Sequence, residues 1–373
     1  MRRILLLTCY LILTINGMTQ NQFAFKLHEQ MDQRDNLLFS PISIKVAFAM
    51  VYEGANGDTK KEFESIFGFQ PNNQVFINEI KALKRVAKIS NSIWIQESFK
   101  VLDSYLETVR KNFGSSPQFT DFLNNPKGSS DKINQWIEKS TNGMIKKMLK
   151  PQMVKSFKLA LVNAIYFKKD WLNKFDQKQT ELDQDFHNMN GAKSKVDLMF
   201  THHYFKALDS KQEKVIELPY KGQQTSMIVI MPEKMDRYKL DEKKYNSLVN
   251  RLHNQEVKFH FPTFEFETPT FELIDDLMKM GMTRTFSDFA DFSGIREEKD
   301  LKVGAALHKA KIIINEEGTE AAAATVISMV TTSTSSTQPR RVMEMRVDQP
   351  FYYFIRDNKT NTILFLGQMT NFK

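Results

Sequence analysis

The residues best suited to chemistry with another protein lie near the C-terminus. They run Glu316-Glu317-Gly318-Thr319-Glu320-Ala321-Ala322-Ala323-Ala324-Thr325-Val326-Ile327-Ser328-Met329-Val330, then through seven consecutive Ser or Thr residues, Thr331 to Thr337, to Gln338-Pro339-Arg340-Arg341. A stretch this long without regular patterning, inside a compact domain, is usually functional or disordered. Arg340-Arg341 is a dibasic site of the kind that trypsin-type proteases cleave. The four alanines promise little burial, and small side chains suit a segment that must enter a tight space. Local propensity alone fits an alanine-rich helix followed by a solvated Ser/Thr linker equally well.

Other chemistries find little support. The chain has no G-x-S-x-G, H-E-x-x-H or P-loop pattern, and no nucleophile and base stand out as a pair. His202 and His203 are adjacent and would point to opposite faces of a strand, so no zinc spacing forms and no metal site is expected. Tyr166, Trp171 and Phe175 read from their type alone as core aromatics rather than a ligand box. Lys81, Lys84, Arg85 and Lys88 share one face if the segment before Ile89 is helical, a basic face that is solvated or binds a polyanion. Asn358-Lys359-Thr360 is an N-glycosylation sequon close to a predicted strand.

The elements that must position these residues follow from periodicity. Asn21 to Met31 fits a first helix. Ser40 is an N-cap and Pro41 the first residue of a second, through Met50, that is apolar nearly all round and therefore interior. Helices are also predicted over Asp58 to Phe67, Val75 to Val86, Asp131 to Leu149 and Glu272 to Met280. Strands are predicted over Ile89 to Ile95, Phe157 to Phe167, Val196 to Phe205, Val215 to Pro219, Thr225 to Met231 and Val257 to Phe266. No linker or internal repeat divides the chain, which reads as one interleaved α+β domain.

Composition sets the frame. The 373 residues, 41% hydrophobic and 26% charged with 11 Pro and 14 Gly, describe a globular protein able to bury a large core. Arg2 and Arg3 precede an apolar run, Ile4 to Ile15, too short to span a bilayer, so residues 1–17 read as a secretory signal and 18–373 as the mature chain. Cleavage after Gly17 would remove both arginines, taking the formal charge from +8 to +6, and would remove Cys9, the only cysteine. A secreted chain without thiols is held by packing, and a catalytic Cys is excluded. The remaining charge surplus names no partner, nucleic acid included.

Long blocks of the sequence resemble the serpins. These are Asn36 to Ile44; Asn163-Ala164-Ile165-Tyr166-Phe167-Lys168 with Trp171 and Phe175; Phe286 to Ile295; Leu301 to Asn315 ahead of the Glu-Glu-Gly-Thr-Glu-Ala run; and Asp348 to Thr360 with Ile363 to Gly367. They span the mature chain in the family's order. The resemblance implies a single α+β domain with three β-sheets, about eight to nine helices and an exposed reactive-centre loop over residues 316–342.

The implied activity is that of a suicide substrate, not an enzyme, which needs no cofactor. A serine protease attacks the loop and forms an acyl-enzyme. The cut loop then inserts as a new strand of the large sheet and deforms the tethered protease in a covalent 1:1 complex, with the inhibitor itself a monomer. The hinge would be Glu317, Gly318, Thr319, Glu320, Ala321, Ala322, Ala323 and Ala324, with Gly318 supplying backbone freedom. An inserted strand buries alternate side chains, here Thr319, Ala321, Ala323, Thr325, Ile327, Met329 and Thr331, none of them charged or proline.

Counting about 14 residues past the hinge glycine, a span of roughly 45 Å at strand rise, puts the reactive bond at Thr332-Ser333. Met329-Val330-Thr331 before it suits an elastase-like pocket, and the alternative is the Arg340, Arg341, Val342 stretch. Ser40, Ser43, Asn163 and His308 match the family's shutter, and Trp171 its breach. Lys81, Lys84, Arg85 and Lys88 match a helix that binds heparin-like glycans in some members. A non-inhibitory carrier or chaperone, and an inhibitor of cysteine proteases, remain open alternatives.

Overall fold

The computed structural model describes residues 17–70, Phe76, Ile80, 88–155, 157–319 and 342–373, with only the backbone of Lys88 and Ile89. Eight α-helices occur among them: α1 (Gln20–Gln30), α2 (Pro41–Tyr52), α3 (Gly57–Phe67), α4 (Asp103–Phe113), α5 (Pro126–Ser140), α6 (Pro151–Val154), α7 (Glu242–Arg251) and α8 (Ile274–Lys279). No helix of the described residues is long and apolar enough to cross a membrane. Residues 1–16 lie outside them.

One sheet runs in the order β3 (Gln118–Thr120), β2 (Lys88–Gln96), β4 (Leu159–Tyr166), β13 (Ala305–Asn315), β14 (Gly318–Thr319), β5 (Lys169–Asp170). The other edge of β13 pairs with β11 (Phe264–Glu267) and β12 (Phe271–Glu272). A second hydrogen-bonded network divides into two groups that share the 17-residue β7 (Lys193–Asp209). The first half of β7 meets β6 (Glu181–His187), and β10 (His253–Pro262) lies along the second half with β15 (Met343–Arg346) outside it. The last residues of β7 pair with β8 (Glu213–Pro219), which leads through β9 (Thr225–Pro232), β16 (Phe351–Asp357) and β17 (Ile363–Met369) to β1 (Leu37–Phe39). The three expected strand groups are thus present, two of them joined through one long strand.

All twelve residues of α2 are buried, as its all-round apolar sequence requires. Ser40 caps it, its hydroxyl accepting from the Ser43 N–H, and Pro41 opens it. The helix packs against β2 and β4 of the first sheet and β17 of the second network. The other face of the first sheet, Ala160, Val162, Ala164, Ala305 and Leu307, lies under Ile133 and Ile137 of α5 and the 145–157 segment. Each large side chain buried in this way stabilises by about 1.5–3 kcal/mol before entropy is counted.

Several predicted boundaries shift for local reasons. The helix expected to reach Leu149 ends at Ser140, because Asn142 and Gly143 adopt positive φ of 54° and 79°. Leu149 and Met148 are instead held by Asn134, whose Oδ1 accepts from both of their N–H groups. Pro262 ends β10, so Val257 to Phe266 forms two strands. Phe271 and Glu272 pair with β13, leaving a helix only over Ile274–Lys279. Lys88 is the first residue of strand β2 and cannot share a helix face with Lys81, Lys84 and Arg85, which lie outside the described residues.

Candidate functional site: the opening of the central sheet

β4 and β13 are the middle strands of the first sheet. They pair in parallel over seven residues, Ala305 to Lys311 opposite Ala160 to Tyr166. Beyond this seam they diverge, and β14 fills the gap. Ile314 and Asn315 pair with Thr319 and Gly318, which pair in turn with Lys169 and Asp170 of β5. Gly318 and Thr319, the third and fourth residues of the 316–342 segment, therefore form the start of a strand between the two arms of the sheet.

A polar frame fixes this start. The Asn315 side-chain oxygen accepts from the Glu317 and Gly318 N–H groups and closes the turn. The Trp171 indole donates to the Asn315 carbonyl at 2.9 Å, and its backbone N–H donates to the Glu317 carbonyl. Phe175 N–H donates to the Glu316 carbonyl, Thr180 Oγ1 donates to the Glu316 carboxylate, and Lys174 pairs with Glu317. Trp171 also stacks on Tyr220 at 4.6 Å and 11° between ring planes. Tyr220 OH shares a 2.7 Å hydrogen bond with Thr319 Oγ1, and both residues are wholly buried. Burial pushes the Tyr220 phenol up, so it stays protonated, and pushes the Lys169 ammonium down against the pull of Asp357.

Gly318 is needed here for space. It does not adopt positive φ, whereas a Cβ on it would lie 2.3 Å from the Lys169 carbonyl oxygen and 2.7 Å from Asp170 Cα. The expectation of backbone freedom is replaced by close approach of β5. Gly318→Val is expected to force β5 and β14 apart and lower stability by about 1–3 kcal/mol, read as a shift in the urea unfolding midpoint.

Lower in the same seam, Ser40, Ser43, Asn163 and His308 meet. His308 and Asn163 are register partners across β13 and β4, and Asn163 faces Asn91 across β4 and β2. The Ser40 N–H donates to His308 Nε2 at 3.2 Å, which makes Nε2 the acceptor and places the imidazole proton on Nδ1. Nδ1 donates to Asn163 Oδ1, and the Asn163 amide donates to Ser43 Oγ and Asn91 Oδ1. Burial holds the His308 pKa down at about 3, so the ring is neutral. Four segments that meet at the β4–β13 seam are thus joined by one polar chain. Asn91 was missed in the sequence because a single Asn in a strand carries no signal for its partner.

Glu320 to Ala324, Thr332, Ser333, Arg340 and Arg341 lie outside the described residues, while Val342 leads directly into β15. Asn358 sits in the turn between β16 and β17, its amide donating to the Gln223 carbonyl, and Thr360 Oγ1 bonds to Asp357. His202 and His203 are both on β7, and His202 pairs with Glu256. Among the described residues no group of three His, Cys, Asp or Glu is arranged to hold a metal ion.

A central sheet with a strand begun in its opening is the architecture of a serpin, and the comparisons agree. The family model for Serpin (serine protease inhibitor) matches residues 18–372, and the chain belongs to that family. Human Serpin B4 is 35% identical over 390 residues, covering 94% of this chain and 97% of its own length. An uncharacterized serpin-like protein of Methanosarcina mazei is 34% identical over 369 residues, covering 94% and 85%. Uncleaved ovalbumin superposes with a TM-score of 0.85 at 25% identity, covering 95% of this chain and 99% of its own. Human thyroxine-binding globulin in complex with its hormone gives 0.84 at 27%, covering 94% and 97%.

Proposed function

We propose that the chain is a secreted, irreversible inhibitor of a serine protease, acting by loop cleavage and insertion, and not an enzyme itself. The observation that carries this reading is β14: Gly318 and Thr319 occupy the insertion site as the first residues of a strand, aligned by β13 and β5. Continuing that strand would carry Ala321, Ala323, Thr325, Ile327, Met329 and Thr331 inward along the β4–β13 seam, with no charge to bury and no proline to interrupt the ladder. The leader, residues 1–17, supports export, and residues 18–373 would form the inhibitor domain.

The position of β15 favours Thr332-Ser333 over the dibasic site as the bond attacked. Cleavage beside Arg340 or Arg341 would require the protease cleft to take Val342 and Met343 in extended form. Met343 is buried and paired with Val257, so β15 would first have to peel from β10. Ser333 is nine residues upstream of Val342 and free of that constraint.

Incubation with trypsin, chymotrypsin, pancreatic elastase, subtilisin and papain tests both statements. An SDS-resistant 1:1 complex with an elastase-type enzyme is expected, releasing a C-terminal fragment whose mass begins at Ser333. A loop cleaved without complex or thermal stabilisation would assign the carrier or chaperone class, and a complex formed only with papain-type enzymes the cysteine-protease class. Heparin-like activation is a secondary proposal resting on Lys81, Lys84 and Arg85. Changing these three to Ala is expected to abolish salt-sensitive retention on heparin, and unchanged retention would remove the site.

A further inference from the structure

The outer face of β7, β10 and β15 carries an exposed aromatic beside the point where the reactive loop rejoins the fold. Val257 of β10 is level with Met343 of β15 on one side and with His203 of β7 on the other. Glu256, opposite Tyr204, is therefore level with Val342, the residue at the end of the loop. Two inter-strand spacings separate Tyr204 from that point, about 10 Å. The inward side chains here, Val257, Phe259, Met343 and Met345, are buried, whereas Tyr204 is 45% exposed. Around it lie the exposed Lys206, Lys258 and Glu344 and the His202–Glu256 pair.

We propose that this face is a second docking surface for the protease captured at the loop, with Tyr204 as its anchor. The inference rests on the inhibitor reading and deepens it. Ten residues, Ser333 to Val342, join the bond attacked to β15 and reach at most about 34 Å. A serine protease domain of about 230 residues has a radius of gyration of about 17 Å and a diameter of about 45 Å. The body of the enzyme is wider than its tether is long, so an enzyme seated on Thr332 overhangs the strands beside β15. An aromatic ring ringed by polar and charged groups is the composition of an interface anchor, and the surface it fits is a shallow apolar depression with hydrogen-bonding edges.

The test uses whichever of trypsin, chymotrypsin, elastase and subtilisin forms the covalent complex fastest with the full chain. Tyr204→Ala is expected to lower the association rate constant at least tenfold, leaving the stoichiometry of inhibition and the thermal midpoint unchanged. Tyr204→Phe should retain most of the rate. The same protease with its nucleophilic serine changed to alanine should bind Tyr204→Ala at least tenfold more weakly than the parent chain. An unchanged rate, or a loss accompanied by altered stoichiometry or thermal midpoint, overturns the docking surface while leaving the inhibitor reading intact. If none of the four enzymes forms a covalent complex with the parent chain, the inhibitor reading fails and the docking surface falls with it.

Discussion

On the proposed insertion mechanism, Thr319→Arg is expected to make the chain a substrate in place of an inhibitor: the loop is still cut, and the yield of covalent complex falls at least tenfold. Thr319 is wholly buried between β13 and β5, its hydroxyl bonded to Tyr220, whose ring packs on Trp171 and Phe167. A guanidinium there would have no carboxylate across the ladder, since its register partners are Ile314 and Lys169. An unpaired buried charge costs several kcal/mol, so the variant is expected to hold the start of β14 out of the sheet and to meet that cost as a barrier when the cut loop inserts, each ~1.4 kcal/mol slowing insertion tenfold. Deacylation competes with insertion, so slower insertion releases active protease. The measurement is the ratio of SDS-resistant complex to cleaved inhibitor, together with the thermal midpoint of the cleaved product. A variant that retains the parent ratio would sink the insertion mechanism.

The second large effect is expected at His308. Its removal orphans the buried Ser40 N–H and the acceptor Asn163 Oδ1, each costing about 1–3 kcal/mol. Acid acts on the same contact. The folded-state pKa is about 3 against an ordinary 6.5, so the folded state resists a proton that the unfolded chain accepts. The stabilisation this gives is complete above pH 6.5 and is lost as the pH falls toward 3, roughly 4–5 kcal/mol over the whole window. The urea midpoint of the parent should therefore fall steeply between pH 6.5 and 4, and that of His308→Gln should fall less. Parallel pH curves would show that His308 does not control the seam. A protonated ring also cannot accept from Ser40, so acid should speed loss of inhibitory capacity in the uncleaved protein.

Much of this site was legible in the sequence wherever local chemistry decides structure. Ser40-Pro41 announced a helix start, and the apolar run after it announced burial, because caps and helical faces depend on near neighbours. The helix predicted through Leu149 failed for the opposite reason: Met148 and Leu149 are held by Asn134, a side chain from the helix itself, once Gly143 has turned the chain back. Lys88 fits a helical spacing with Lys84 and is nevertheless a strand residue, because pairing with Tyr166 outweighs local propensity.

That residues 319–331 can alternate in a sheet without burying a charge is readable from residue order, since side-chain direction in a strand depends only on odd and even position. Tertiary structure decided what that strand would meet. Tyr220 beneath Thr319, β5 against Gly318, Asn91 beside Asn163 and Tyr204 two strands from the end of the loop are all brought together by pairings between distant segments. Such pairings are chosen by the packing of whole sheets, and no single residue type or spacing encodes them.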